Sequence, residues 1–274
     1  MSIMNYNQFS NISCYEEFEI QSALAGISKV DVLKEIGHQI DNYYFFISKD
    51  GIFNWFDLEG NHVEGLCILK EIREKYIPKT ITKCVIPNSV TSICDNTFSF
   101  CNTLKEVIIP DSVTNIGEYI FYSCESLKEI TIPDSVTSID DGVFRYCVSL
   151  KEITLPDSVT SIGKGTFSEC VSLKEITIPN SITSIGYEAF ENCTSLTSIT
   201  IPDSVNSIGS YAFSYCESLE EIIIPDNITY IGYNTFSRCK SLNEVVFKGK
   251  TLDEVKLMKN YPFGIEDENV FKFS

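Results

Sequence analysis

The sequence predicts an α/β repeat solenoid, and two regularities carry that expectation. Seven of its nine prolines, Pro87, Pro110, Pro133, Pro156, Pro179, Pro202 and Pro225, follow one another at a constant step of 23 residues. Each opens nearly the same string, Pro-Asp/Asn-Ser-Val-Thr-Ser-Ile-Gly, followed by a Phe, a Cys and a Ser-Leu-x-x-Ile-x-Ile segment. A period between about 20 and 50 residues marks an architecture in which each unit buries its apolar face only against its neighbours.

Taken in chain order, residues 1–78 stand outside the repeat and read as a small α+β segment. Ser28-Lys29-Val30-Asp31 resembles a capping box ahead of a short helix with Val32, Leu33, Ile36 and Ile40 on one face. Tyr43 to Ile47 and Ile52 to Phe56 flank Lys49-Asp50-Gly51, a hairpin signal, and a further helix is expected from about Gly65 to Tyr76. This segment carries the only tryptophan, Trp55, and both histidines, His38 and His62. It is expected to cap the first repeat, with a separate recognition module as the alternative.

Residues 79–247 hold the seven repeats. In Leu127-Lys128-Glu129-Ile130-Thr131-Ile132 the apolar residues alternate with polar ones, the period of a half-buried strand. Proline then removes a backbone donor and ends the strand. Val136, Ile139, Phe144 and Cys147 continue at spacings of three to five, which predicts an irregular or one-turn helical return. Gly117, Gly163, Gly186, Gly209 and Gly232 share one column and are expected to supply a backbone conformation that a side chain disfavours; Cys94 and Asp140 interrupt that column. Stacking places the strands in a parallel sheet, neighbours about 4.8 Å apart, over a continuous core whose largest column runs from Phe98 to Phe236.

After the repeats, Phe247-Lys248-Gly249-Lys250 closes the last strand, and Thr251 is the expected N-cap of a helix to about Asn260. Tyr261-Pro262-Phe263-Gly264 turns the chain before a last apolar piece, Val270 to Phe273, so residues 248–274 read as a short helical C-terminal cap.

The string Ile-Pro-Asp-Ser-Val-Thr-Ser-Ile-Gly with Phe-x-x-Cys-x-Ser-Leu-x-x-Ile-x-Ile, clearest from Ile132 to Ile178, resembles the BspA-like leucine-rich repeats, and the resemblance covers about Thr82 to Phe247. It implies a curved solenoid with a parallel sheet on the concave face, and roles in protein interaction or surface attachment.

Charge and motifs narrow the functional classes. A net charge of −17 argues against nucleic acid, which is bound through clustered Lys and Arg. No apolar run reaches the 18 to 20 residues, roughly, that span a bilayer, and Met1 to Ser10 does not read as an export signal; a soluble intracellular protein is expected, with a cell or virion surface as the alternative. Seven of the eleven cysteines, Cys101 to Cys239, share one repeat position, which reads as core packing. No Cys-x-x-Cys pair, phosphate loop or catalytic Ser/His/Asp or Cys/His pattern stands out, so no catalytic residue, metal or cofactor is expected. Sequons occur at Asn11, Asn192 and Asn227. The expected function is a non-enzymatic protein-interaction scaffold, with a surface adhesin or host-facing structural component as the alternative. Two candidate surfaces follow: the outward strand positions Glu129, Thr131, Glu152, Thr154, Glu175 and Thr177, and the tyrosines of the variable turns, Tyr146, Tyr187 and Tyr215. The resemblance favours the sheet.

Overall fold

A computed structural model describes residues 82–274, except Pro87 and Ser89, and the backbone of three short strands, His38–Ile40, Tyr43–Ile47 and Phe53–Asp57. Those three strands form an antiparallel sheet, with Ile47 opposite Phe53 and Phe45 opposite Trp55. The expected hairpin is present, its second strand one residue later than its sequence pattern suggests. His38–Ile40 pairs with Tyr43–Phe45, so the amphipathic helix expected to include Ile40 is corrected at its C-terminal end. Ile40 pairs directly with Tyr43, and this cross-strand pairing outweighs the helical spacing of Ile36 and Ile40. The proposed capping box at Ser28, the helix from Gly65 to Tyr76, His62 and Asn11 lie outside the described residues.

From 82 to 247 the chain winds through about eight turns of a parallel β-solenoid. Each turn, or rung, contributes to three ladders. The front ladder begins with Lys83–Val85 and Glu106–Ile108, passes through single bridges at Thr131, Thr154 and Thr177, and ends with Ser198–Thr200, Glu221–Ile224 and Glu244–Phe247. Corresponding residues are 23 apart throughout, as in Ile199 opposite Ile222. The rear ladder, which the sequence reading did not anticipate, is built from two-residue strands such as Ser161–Ile162, Ser184–Ile185 and Ser207–Ile208. Here the Ile side chain enters the core and the preceding residue stays at the surface.

The third ladder replaces the expected helical return. Residues 95–100 and their counterparts form tight turns whose alternate amides donate to the next rung, as Phe98 N does to Ile120 O at 2.9 Å and Phe100 N to Tyr122 O at 2.7 Å. Every such turn holds two residues at positive φ, four positions apart: Asn96 and Phe100, Tyr119 and Ser123, Gly142 and Tyr146, Gly165 and Glu169, Glu188 and Asn192, Tyr211 and Tyr215, Asn234 and Arg238. A left-handed residue interrupts an α-helix, and amides committed to a neighbouring rung cannot bond four residues back. The α/β label is therefore corrected: among the described residues the helix is confined to Leu252–Lys256 and one 3-10 turn, Glu268–Val270.

The glycine column is corrected as well. Gly117, Gly163, Gly186, Gly209 and Gly232 are not among the positive-φ residues. What requires glycine there is proximity: a Cβ on Gly186 would lie 2.6 Å from Gly163 O, and one on Gly232 would lie 2.1 Å from Ser210 N. Real Cβ atoms do not approach backbone that closely, so only glycine lets the rungs close up at this corner.

The core is one continuous cluster along the solenoid. Phe98, Phe121, Phe144, Phe167, Phe190, Phe213 and Phe236 stack with centroids 5.2 to 5.9 Å apart and ring planes 2° to 13° from parallel. The cysteine column packs beside it with a polar contact as well. Cys147 Sγ donates to Phe121 O at 3.2 Å, Cys170 to Phe144 O at 3.2 Å, and the other members from Cys124 to Cys239 repeat the bond. That carbonyl already accepts a backbone amide, as Phe121 O does from Cys124 N at 3.0 Å. The thiol fills its second lone pair, which an alanine of similar size would leave empty. Burial raises these thiols above their ordinary value of 9.0, and no disulfide joins the described cysteines.

Beyond the last repeat Thr251 caps the short helix through a full capping box with Glu254. The helix stops at Lys256, four residues before the expected end. Phe271–Phe273 then returns as a parallel strand beside Val245–Phe247, and Phe236 N donates to Phe263 O at 3.0 Å where the next turn would have continued the stack.

Candidate functional site

The front ladder turns alternate residues to the core and to solvent, because side chains of a strand alternate faces. Ile130, Ile153 and Ile176 are buried; Glu129, Thr131, Glu152, Thr154, Glu175 and Thr177 are all exposed. Equivalent residues lie in register one rung apart, so the structure brings these six side chains together as two parallel columns, one carboxylate and one hydroxyl. Glu106 extends the carboxylate column and forms an ion pair with Lys83 at 3.0 Å; Ser198 interrupts it, and Glu221 and Glu244 resume it as direct neighbours. Among the described residues Lys128, Lys151 and Lys174 make no ion pair with this column, so their charge offsets the carboxylates only from a distance. A trough of about 520 Å³ runs over this face, lined by residues that include Glu106, Ile108, Glu129, Thr131, Glu152 and Thr154. At its end Ile108 replaces the column threonine and is 45% exposed, an apolar contact that the sequence reading missed. The substitution of Ile for Thr at that repeat position was the available signal.

The tyrosines lie on the turn ladder, and the structure does not unite the three named candidates. Tyr146 belongs to a cluster in which Phe100, Tyr119 and Tyr146 all meet Tyr122 edge-on, at centroid distances of 5.1, 6.0 and 5.5 Å. Tyr187 belongs to a second cluster with Tyr211 and Tyr233. Tyr215, 45% exposed, joins neither set of ring contacts. Between the clusters lies a polar patch: Arg145 pairs with Glu188 at 3.5 Å, Asn192 Nδ2 donates to Glu169 at 2.5 Å, and Lys164 stands 5.1 Å over the Tyr187 ring. The hydrogen bond with Glu188 pushes the Tyr187 hydroxyl up to about 12, and burial beside Glu188 raises the Glu191 carboxyl. The rings therefore contact one another from rung to rung and cover part of the turn ladder.

The amides of two sequons are occupied by the fold: Asn192 by Glu169, and Asn227 by the carbonyl of Asp203. Among the described residues no three His, Cys, Asp or Glu side chains converge as a metal site, and no helix is long and apolar enough to cross a membrane.

Comparison with known proteins places this geometry among known repeats. A family model described as a BspA type leucine rich repeat region matches residues 73–193 and 160–263, in six copies. The crystal structure of a leucine-rich repeat protein of T. pallidum is similar at 26% identity and a TM-score of 0.59, over 85% of this chain and 99% of that one. A leucine-rich cell surface protein from Faecalibacterium prausnitzii is 26% identical, with a TM-score of 0.48 over 76% of each chain. No curated protein matches the chain.

Proposed function

Because the chain belongs to the BspA-type leucine-rich repeat family, we propose that it is a non-enzymatic scaffold that binds a protein partner along its front ladder. The observation that carries this reading is the trough over the exposed Glu and Thr columns. It offers carboxylates and hydroxyls at the spacing of successive strands, beside an exposed isoleucine at one end. Solenoids bind through extended surfaces of this kind, and a carboxylate column favours a partner with a basic surface, whose encounter it steers. In the same reading residues 79–247 are the interaction unit, residues 248–274 close one end, and residues 1–78 close the other or add a second recognition element.

The test begins with a pull-down from the native host using the full chain, with partners identified by mass spectrometry. Partner affinity is then compared between two triple variants, Glu129→Ser/Glu152→Ser/Glu175→Ser and Tyr146→Ser/Tyr187→Ser/Tyr215→Ser. Loss in the glutamate set alone supports the front face. Loss in the tyrosine set alone moves the site to the turn ladder, and unchanged binding in both moves it off the two surfaces. Detection of the native protein on the outside of intact cells or particles would make the scaffold an adhesin.

A further inference from the structure

The solenoid is not equally fastened along its length. On the front, Lys83–Val85 pairs with Glu106–Ile108, and pairing resumes only with Thr131 and Thr154. On the rear, Ser92–Ile93 pairs with Asn115–Ile116, and pairing resumes only with Ile139 and Ile162. Both ladders thus break at the same place, between the second rung and the third, while the rear ladder is continuous from Ile139 to Ile231.

The turn ladder does cross this junction. Tyr119 N donates to Asp141 O at 2.9 Å, Phe121 N to Val143 O at 2.9 Å and Ser123 N to Arg145 O at 2.8 Å. Phe121 and Phe144 stack at 5.5 Å, and Ser135 Oγ reaches Val113 O at 2.5 Å. One edge is bound and two sides are free of strand pairing.

Asp140 stands at the break. It occupies the glycine column, where every glycine amide donates to the isoleucine of the rung before: Gly163 to Ile139 at 3.0 Å, Gly186 to Ile162 at 2.9 Å and Gly209 to Ile185 at 2.8 Å. Among the described residues that series omits Asp140 and Ile116. At the glycines an added Cβ would stand 2.1 to 2.6 Å from the atoms of the preceding rung; at Asp140 the Cβ is real and takes up that space.

We infer that the junction between Ile116 and Ile139 is a hinge built into the solenoid, with the turn ladder as its axis. In a repeat protein stability is the sum of each unit's own and its nearest-neighbour interfaces, so the interface with the fewest backbone bonds opens first. The trough lies across this junction, since its lining comes from Glu106 to Ile109 on one side and Glu129 to Thr154 on the other. Rocking about the turn ladder widens or narrows it and sets the spacing that a ligand on the front face would meet.

Hydrogen exchange of the full chain, read by mass spectrometry, tests the hinge without a ligand. Amides at 128–132 and 138–141 should exchange about tenfold or more faster than those at 174–178 and 184–187, because local opening exposes the least-bonded segments first. Asp140→Gly should restore the missing bond and bring the two sets level. Asp140→Ala keeps the Cβ and removes the carboxylate, so it should stay fast. Equal exchange at both junctions of the unaltered chain would overturn the hinge. A slow Asp140→Ala variant, or a fast Asp140→Gly variant, would overturn its cause.

Discussion

At Gly209 an added methyl would sit 2.5 Å from the carbonyl carbon of Gly186, whereas at Gly165 it would meet nothing closer than the Arg145 guanidinium at 3.2 Å. Gly165 is needed instead for its φ of +60°, a region that costs an L-residue about 1 to 2 kcal/mol. The two substitutions should therefore separate. Gly165→Ala should lose about 1 to 2 kcal/mol, and Gly209→Ala about 3 kcal/mol or more, because rungs forced apart also lose packing along the whole interface. Urea unfolding of both variants measures the difference; equal losses would mean that the two columns serve one purpose. The bulky residues at positive φ are held by their neighbours: Tyr146 N donates to Ser168 O at 2.9 Å and Tyr215 N to Ser237 O at 2.8 Å, so the ladder imposes a conformation the side chain resists.

The phenylalanine stack and the turns beside it show what a repeat pattern reveals and what it conceals. Phe167 lies between Phe144 and Phe190, fully buried, so Phe167→Ala should cost about 3 to 5 kcal/mol through the cavity it leaves. Lys164, exposed above the Tyr187 ring, should cost less than about 1 kcal/mol when changed to Ala. Denaturant titrations in which both lose the same amount would refute the inward and outward assignment. Strand, core columns and the Thr251 N-cap were legible because each depends on side-chain type at a fixed position, whereas the reciprocal bond from Glu254 that completes the capping box was found only in the structure. The rear strands were not, since a two-residue Ser-Ile segment is too short to display alternation. Nor was the turn geometry: its left-handed positions carry Asn or Gly at Asn96, Gly142, Gly165, Asn192 and Asn234, residues that favour such backbone, but Tyr, Glu, Ser, Phe and Arg occupy the same columns elsewhere. The outward placement of the six front-face residues was legible because it depends on strand alternation alone, whereas grouping Tyr146, Tyr187 and Tyr215 required the turn path.

Across the whole molecule the cysteine column couples stability to alkaline pH. Burial raises the thiols of Cys124, Cys147, Cys170, Cys193 and Cys216 above 9.0, and that of Cys239 to about 12. Below about pH 9 both folded and unfolded chains hold these protons and the column is neutral in its effect on pH dependence. Above it the unfolded chain releases protons that the folded chain retains, so stability falls as pH rises. Each fully retained proton contributes a slope of up to about 1.4 kcal/mol per pH unit. Unfolding midpoints between pH 8 and 10, about one unit on either side of the free thiol value, should drop steeply, and less steeply in Cys147→Ala once its lower starting stability is subtracted. A flat profile would show that the thiols are not held protonated. The Phe stack has a different kind of consequence, one of heredity. If the coding sequence lost one unit between Phe144 and Phe190, Phe144 would meet Phe190 as it now meets Phe167, and every ladder would rejoin in register. Unequal recombination can thus lengthen or shorten this molecule among its uniform rungs and still leave a foldable chain, while a join that moved Asp140 would carry the break to a new place.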